Sequence, residues 1–360
     1  MQQQESHQLP TLDLGQIPDG LINLLEVDWH KCLPAKFLHH EPCQGIQLAP
    51  LEEVLPLHET YRISGYSIFD TNDDDTTRYP NTTAANPATG AVIYYHLPSD
   101  SIKHIAIHIK DAQGKLVRSF SNKSVDIPST NNSLKEEPSL TAKKGLNRFV
   151  WNLRRPNMPT IDNVYIEGNY SGGKIIPGVY TVTLKADDVE QTATLQLSQD
   201  PRLQFSNADY AAQDELLKKL EKDMVDIHVA VNQMNALSKQ IESLNKLIQH
   251  DESKKELVDK GKSVIEKIKQ WEEKLIQPKA QSYDDIINFV NKLSANIIFV
   301  HGELSATVPY VTAGQEKRYA DLHAEWLKYE KQMKDLLVND VAAFNQMCRD
   351  KGVTNVILPR

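Results

Sequence analysis

From Ala91 the apolar residues of this chain recur at every second position. AVIYYHL is a mostly apolar stretch. After it Lys103, Ile105, Ile107 and Ile109 alternate with Ile102, His104, Ala106, His108 and Lys110. A period of two marks a β-strand with one buried face. Asp111-Ala112-Gln113-Gly114 predicts a hairpin turn ending on glycine, followed by the strand KLVRSF. Residues 129–144 read as a polar loop. GLNRFVWNL, GVYTVTLKAD (introduced by Pro177-Gly178) and TATLQLS continue the alternation. Six or seven short strands between Ala91 and Ser198 predict an immunoglobulin-like β-sandwich over residues 85–200.

The period changes after Asp200-Pro201-Arg202. Leu217, Leu220, Met224, Ile227, Val231, Met234, Ile241, Leu244 and Ile248 lie three and four apart, interrupted around Ser238. Ser206 with Asp209 forms a capping box ahead of them. A helix over 207–249 would be about 64 Å long at 1.5 Å per residue. A second seam runs through Leu257, Gly261, Val264, Ile268, Trp271 and Leu275, and Pro278 ends it. Ser282 with Asp285 is expected to open a third helix carrying Ile286, Val290, Leu293, Ile297 and Leu304. Thr312 with Gln315 caps a fourth, whose seam is Tyr319, Leu322, Trp326, Tyr329, Leu336, Leu337, Val341 and Phe344. None of these helices can bury its seam alone, so 205–351 reads as an antiparallel four-helix bundle. Glycine at seam position 261 costs helix propensity and suggests a close helix crossing. The expected fold class is therefore multidomain β + α.

Residues 1–84 follow neither period. Leu21–Val27 is a short apolar run, Gly45–Leu57 holds a candidate strand, and residues 70–86 are almost devoid of apolar side chains. The start MQQQESHQLPTLDLG has neither a basic beginning nor an apolar core, so no signal peptide is expected there. No apolar run reaches the length needed to span a bilayer. With a net charge of −8 and no basic half, the electrostatic footprint of a nucleic-acid binder is missing. Three cysteines, Cys32, Cys43 and Cys348, argue against a disulfide scaffold.

Catalytic motifs are hard to find. Gly261-Lys262-Ser263 resembles the end of a phosphate-binding loop, but Glu256 stands where its first glycine belongs. Cys32, His39, His40 and Cys43, with His30 nearby, carry zinc-ligand chemistry at irregular spacing. Asp70-x-Asn72-x-Asp74 begins like a calcium loop, yet Asp75 and Asn81 occupy its glycine and glutamate positions. Glu52-Glu53 and Glu136-Glu137 are adjacent acids without an aromatic wall. His228 and His301, on or beside helical seams, read as structural or exposed. No metal, cofactor or catalytic residue is assigned. Trp151, Arg154, Arg155, Tyr165 and Tyr170 cluster around one strand end and its loop, WNLRRPNMPTIDNVYIEGNYSGG. Aromatic and arginine side chains at a loop suit a protein or sugar partner. The opposing reading makes Trp151 a core anchor.

NPATGAVIYYHL, IKDAQGKLVRSF, KGLNRFVWNLRRP, PGVYTVTL and DPR, in that order, resemble the C-terminal region of sortilin-like, BNR-repeat β-propeller proteins, often labelled glycosyl hydrolases. The ending LLVNDVAAFNQMCRDKGV is similar too. The resemblance covers roughly residues 85–350. It implies an immunoglobulin-like domain and a helical region behind a propeller, in exported parent proteins. The chain departs from the family in having no blade repeat and no Ser-x-Asp-x-Gly loop, although GIQLAPLEEVLPL could be a remnant strand. No catalytic residue carries over. The resemblance implies a non-catalytic accessory or interaction module that docks on a propeller or another protein. A glycosidase-related component and a freestanding helical scaffold that oligomerises are the alternatives.

Overall fold

A computed structural model describes residues 53–54, 57–62, 90–123 and 138–356. All lie within one compact unit, Leu51–Arg360. The Cys32–Cys43 cluster, the Asp70 loop, the Glu136-Glu137 pair, the side chains of Glu52-Glu53 and most of 1–84 lie outside the described residues.

The protein is a β + α structure. The strands are β1 (Glu53–Val54), β2 (Thr60–Arg62), β3 (Ala91–Leu97), β4 (Ile105–Lys110), β5 (Leu116–Ser121), β6 (Gly145–Trp151), β7 (Gly178–Ala186) and β8 (Val189–Gln199). They form a three-stranded sheet, β1-β3-β6, and a five-stranded sheet, β2-β8-β7-β4-β5. Every described pairing between these strands is antiparallel except β2 beside β8. Alternation along β3 buries Ala91, Ile93, Tyr95 and Leu97, and along β4 it buries Ile105, Ile107 and Ile109. These side chains share one apolar core with Phe149 and Trp151 of β6 and with Val182 and Leu184 of β7. Both sheets thus contribute to one core. At the β4–β5 turn the Asp111 carboxylate accepts from the amides of Gln113 and Lys115, and Gly114 takes φ +76°. That conformation favours glycine.

The helices are α1 (Asn207–Ile248), α2 (Lys255–Leu275), α3 (Asp285–Asn288), α4 (Leu293–Ala306), α5 (Ala313–Asp335) and α6 (Ala342–Asp350). The capping boxes at Ser206–Asp209 and Thr312–Gln315 are both formed. The α1 stripe from Leu217 to Ile241 is buried, and Leu237 fills the gap near Ser238. All six seam residues of α2 are buried. A Cβ on Gly261 would fall 2.6 Å from the Asn245 amide, so glycine there marks the close approach of α2 to α1. Asn245 is buried and donates to the Val258 carbonyl. Gly261→Ala gains helix propensity yet has to displace this amide. The expected net result is a loss of about 1 kcal/mol, checked by thermal melting, where an exposed helical Gly→Ala would instead raise Tm.

Two departures from the sequence pattern have physical causes. The third helix does not run unbroken from Ser282. Asp285 accepts from the amides of Ser282 and Gln281, but α3 lasts only four residues. Phe289 turns extended at φ −127°, ψ 138°. It lines a small cleft with Ile166, Ile276, Ala280 and Ile286. Burying part of this ring competes with continuing a helix through Asn288, Val290 and Asn291, which are weak helix formers. The second departure is a π-helical turn, Leu336–Val341, between α5 and α6. The apolar residues Tyr329, Met333, Leu337 and Val341 advance in three successive steps of four. Each step overshoots a 3.6-residue turn by about 40°. The wider π turn absorbs the drift and keeps the seam inward.

Candidate functional site

The most distinctive chemistry lies where β6 leaves the sheets. Residues 152–177 do not return directly to β7. They run out as a strap whose stem is closed by the Arg154–Lys174 bridge, by Arg155 N–H to Gly173 O at 3.1 Å and by Met158 N–H to Tyr170 O at 2.8 Å. Leu153 begins the strap at φ +60°, an unusual conformation for leucine. Leu153 and Ile175 at the stem of the strap belong to the core of the sheets, but Met158, Ile161, Val164, Ile166 and Tyr170 beyond it belong to the core of the helices. One segment therefore carries the β unit into the helical core.

A polar line along α1 receives this strap. Asp214, Glu221 and His228 are spaced seven apart, two helical turns each. The Arg155 guanidinium bridges Asp214 and Glu221, with Nε and Nη2 each 2.8 Å from a Glu221 oxygen. Glu221 also accepts from the Gly173 amide at 2.6 Å and from His301 Nε2 at 3.2 Å. A carboxylate can only accept, so Nε2 carries a proton, while Nδ1 of His301 is buried without a hydrogen-bond partner. Burial pushes the Glu221 carboxyl up, but hydrogen bonds from His301 and Arg155 and the Arg155 charge outweigh it and hold the group at about 2. Burial also disfavours the Arg155 cation. Its two carboxylates reverse that and raise its pKa above the ordinary value.

Two turns on, His228 is fully buried, with Nδ1 2.7 Å from the Pro159 carbonyl and Nε2 2.5 Å from Ser294 Oγ. The carbonyl fixes the proton on Nδ1, so Ser294 donates to Nε2. The ring packs 5.8 Å from Tyr170. Burial depresses its pKa to about 4, and the hydrogen bond to Pro159 only partly opposes this. Asn232 completes the line by donating to Thr160 O and accepting from Asp162 N–H. At the other end Gln213 donates to Leu304 O at 2.8 Å and accepts from Arg62 of β2, whose Nε bonds Ile175 O and whose guanidinium lies 4.9 Å over the Tyr210 ring. Strand β2, the strap, α1 and α4 are thus tied together by buried polar groups.

The five residues singled out around this loop do not share one surface. Trp151 is buried between the sheets and donates Nε1–H to Arg154 O at 3.0 Å. Arg154 is half-buried and bonds Gly172 O at 3.1 Å. Arg155 is the ionic centre described above. Tyr170 is buried against His228, and Tyr165, half-buried, bonds Glu167. Arg154, Arg155 and Tyr170 act in the strap, and Trp151 sits at its root. His228 and His301 are both buried within the joint. Sequence reasoning misses Asp214, Glu221, Gln213 and Arg62. The signal for the first two is the heptad spacing of 214, 221 and 228, a polar line beside the apolar stripe. Another buried acid of α1, Asp223, accepts from His323 Nδ1 at 2.8 Å and joins α1 to α5.

Among the described residues no group of three or more His, Cys, Asp or Glu is placed to hold a metal. No described helix is long and apolar enough to cross a membrane. The arrangement holds charge in a fixed geometry, and the class it defines is a two-part β + α protein fused through a buried polar joint. No family model matches the chain, and no curated protein matches it.

Proposed function

We propose that the chain is an interaction module of the kind the sequence resemblance implies. In this reading the two sheets form an immunoglobulin-like sandwich and α1, α2, α4 and the α5–α6 pair an antiparallel four-helix bundle. The sandwich docks on a β-propeller-type protein, and the bundle carries a second surface at a fixed angle to it. The observation that carries the reading is the Arg155–Asp214–Glu221 joint. Burying ion pairs adds little net stability, but it selects one arrangement of the parts it joins. A module that presents two surfaces to other proteins gains from such a fixed arrangement.

The test is recovery of partners from the native organism on the tagged chain, followed by binding of the purified pair. A propeller-bearing protein is expected, with direct affinity for the wild-type chain and weaker affinity for the Arg155→Met variant. Recovery of no propeller-type partner under conditions where the chain stays folded sinks the reading.

A further inference from the structure

Strand β2 differs from the other described strands in two respects. It runs parallel to its neighbour β8, with Thr60 beside Leu197, Tyr61 beside Ser198 and Arg62 beside Gln199. Its last residue, Arg62, is only 4% exposed, and its guanidinium bonds groups outside the sheet.

The direction of β2 decides how the pair responds to tension. The chain enters β2 at the Leu197 end and leaves β8 at the Gln199 end, which are opposite ends of the paired stretch. A pull between the segment before β2 and the segment after β8 therefore draws the two strands past each other along their length. The ladder bonds run across from strand to strand, so they take this load together. In an antiparallel pair pulled the same way, entry and exit fall at one end and the bonds break one after another. Forced separation is governed by the rate of crossing the unfolding barrier, so bonds that must break together resist longest.

Further contacts lie on the same path. Ser198 of β8 donates its hydroxyl to the Glu59 carboxylate just ahead of β2. Arg62 stands at the far end of β2 from where the pull enters, so withdrawing the strand drags a buried guanidinium out of its site. There Nε donates to Ile175 O and Nη2 to Gln213 Oε1, each at 2.8 Å, and the cation lies 4.9 Å over the Tyr210 ring. Bonds from an ionised donor are stronger than neutral ones. Tyr210 and Gln213 lie near the start of α1, the helix that follows β8. At the corner between them the fully buried Asp200 carboxylate accepts from the Arg202 amide, Nε and Nη2. Load entering at β2 thus reaches α1 through β8 and directly through Arg62, while β3 to β6 stand outside the path.

We propose that β2, anchored by Arg62, is a tension-bearing clamp that passes a pull on the chain ahead of it into α1 and spares the sheet core. The inference needs no partner, so it stands or falls apart from the interaction reading.

The experiment is single-molecule pulling on the full chain, with handles joined to azide-bearing residues at exposed positions. Handles at His58 and Ala211 load the β2–β8 pair along its length. Handles at His58 and Gln196 load it crosswise from the end where β2 begins. The lengthwise rupture force of the wild type is expected to exceed the crosswise force by about twofold or more at one pulling speed. Arg62→Met is expected to lower the lengthwise force by about half. Ile107→Val trims the sheet core and lowers stability in urea, yet should leave the lengthwise force unchanged. Equal forces in the two directions overturn the proposal, and this comparison decides even where Arg62→Met fails to fold. A folded Arg62→Met chain with the full lengthwise force overturns it too. So does a loss of force in Ile107→Val as large as in Arg62→Met, because the sheet core would then lie in the path.

Discussion

Replacing Arg155 with methionine is expected to remove about 3–5 kcal/mol of unfolding free energy, the usual cost of leaving buried carboxylates without their cation. Arg155 reaches both Asp214 and Glu221, whose side chains are only 10% and 14% exposed. Lys218 also meets Asp214, but from a largely exposed position. Urea unfolding at pH 7 measures the loss. Adding Glu221→Gln and Asp214→Asn to the variant removes the stranded charges and should recover a large part of it. If Arg155→Met costs less than about 1 kcal/mol, the range of an exposed pair, water reaches the joint and the ion pairs do not hold it. The pH dependence has a definite sign. Glu221 has a folded pKa of about 2 against an ordinary 4.5, so the unfolded chain binds its proton first as pH falls. Its contribution is complete above pH 4.5 and is lost progressively as pH falls toward 2.

The second large effect belongs to His228 and has its own window. Its pKa is depressed to about 4 from 6.5, so between these values the unfolded chain holds a proton that the folded chain refuses. Stability therefore drops as pH falls from 6.5 to 4 and levels off below. A shift of this size corresponds to about 3 kcal/mol. His228→Asn keeps a donor near Pro159 but cannot titrate. Carboxylates titrate alike in both proteins, so the difference between their stability curves at about pH 7, 5.5 and 4 isolates His228. A constant difference across that range would show that the imidazole is hydrated and would remove it from the buried joint. The expected first sign of protonation is faster hydrogen exchange in strap residues 160–164, since His228 and Asn232 are adjacent anchors of that segment.

Much of the architecture is legible in the sequence. Period two locates β3 to β8 because each strand has one dry face, and two capping boxes place the starts of α1 and α5. Glycine at 261 signals a close crossing, since a missing Cβ explains glycine on an apolar seam. Helix continuity is less legible. The pattern through Ile286, Val290 and Leu293 is compatible with one helix, and nothing local reveals that Phe289 finds apolar neighbours by leaving it. The π turn is hidden in the same way, since a run of four-residue steps looks like ordinary helical spacing until its drift is summed.

The site is the least legible part. Trp151, Arg154, Arg155, Tyr165 and Tyr170 stand out by residue type, and type alone suggests an outward face. Their directions depend on Leu153, where the chain turns left-handed and sends the strap toward the helices. The sequence by itself determined the strands from β3 onward and the long helical stretches with their apolar faces, because both follow from periodicities of about two and 3.6 along a single segment. Only the tertiary structure decided that the loop after β6 is a strap and that Arg155 meets Glu221 across 66 residues. It also decided that His228 and His301 are buried and that Ile287 and Val290 are not. Burial and charge pairing are properties of groups brought together from distant segments, and no local pattern encodes them.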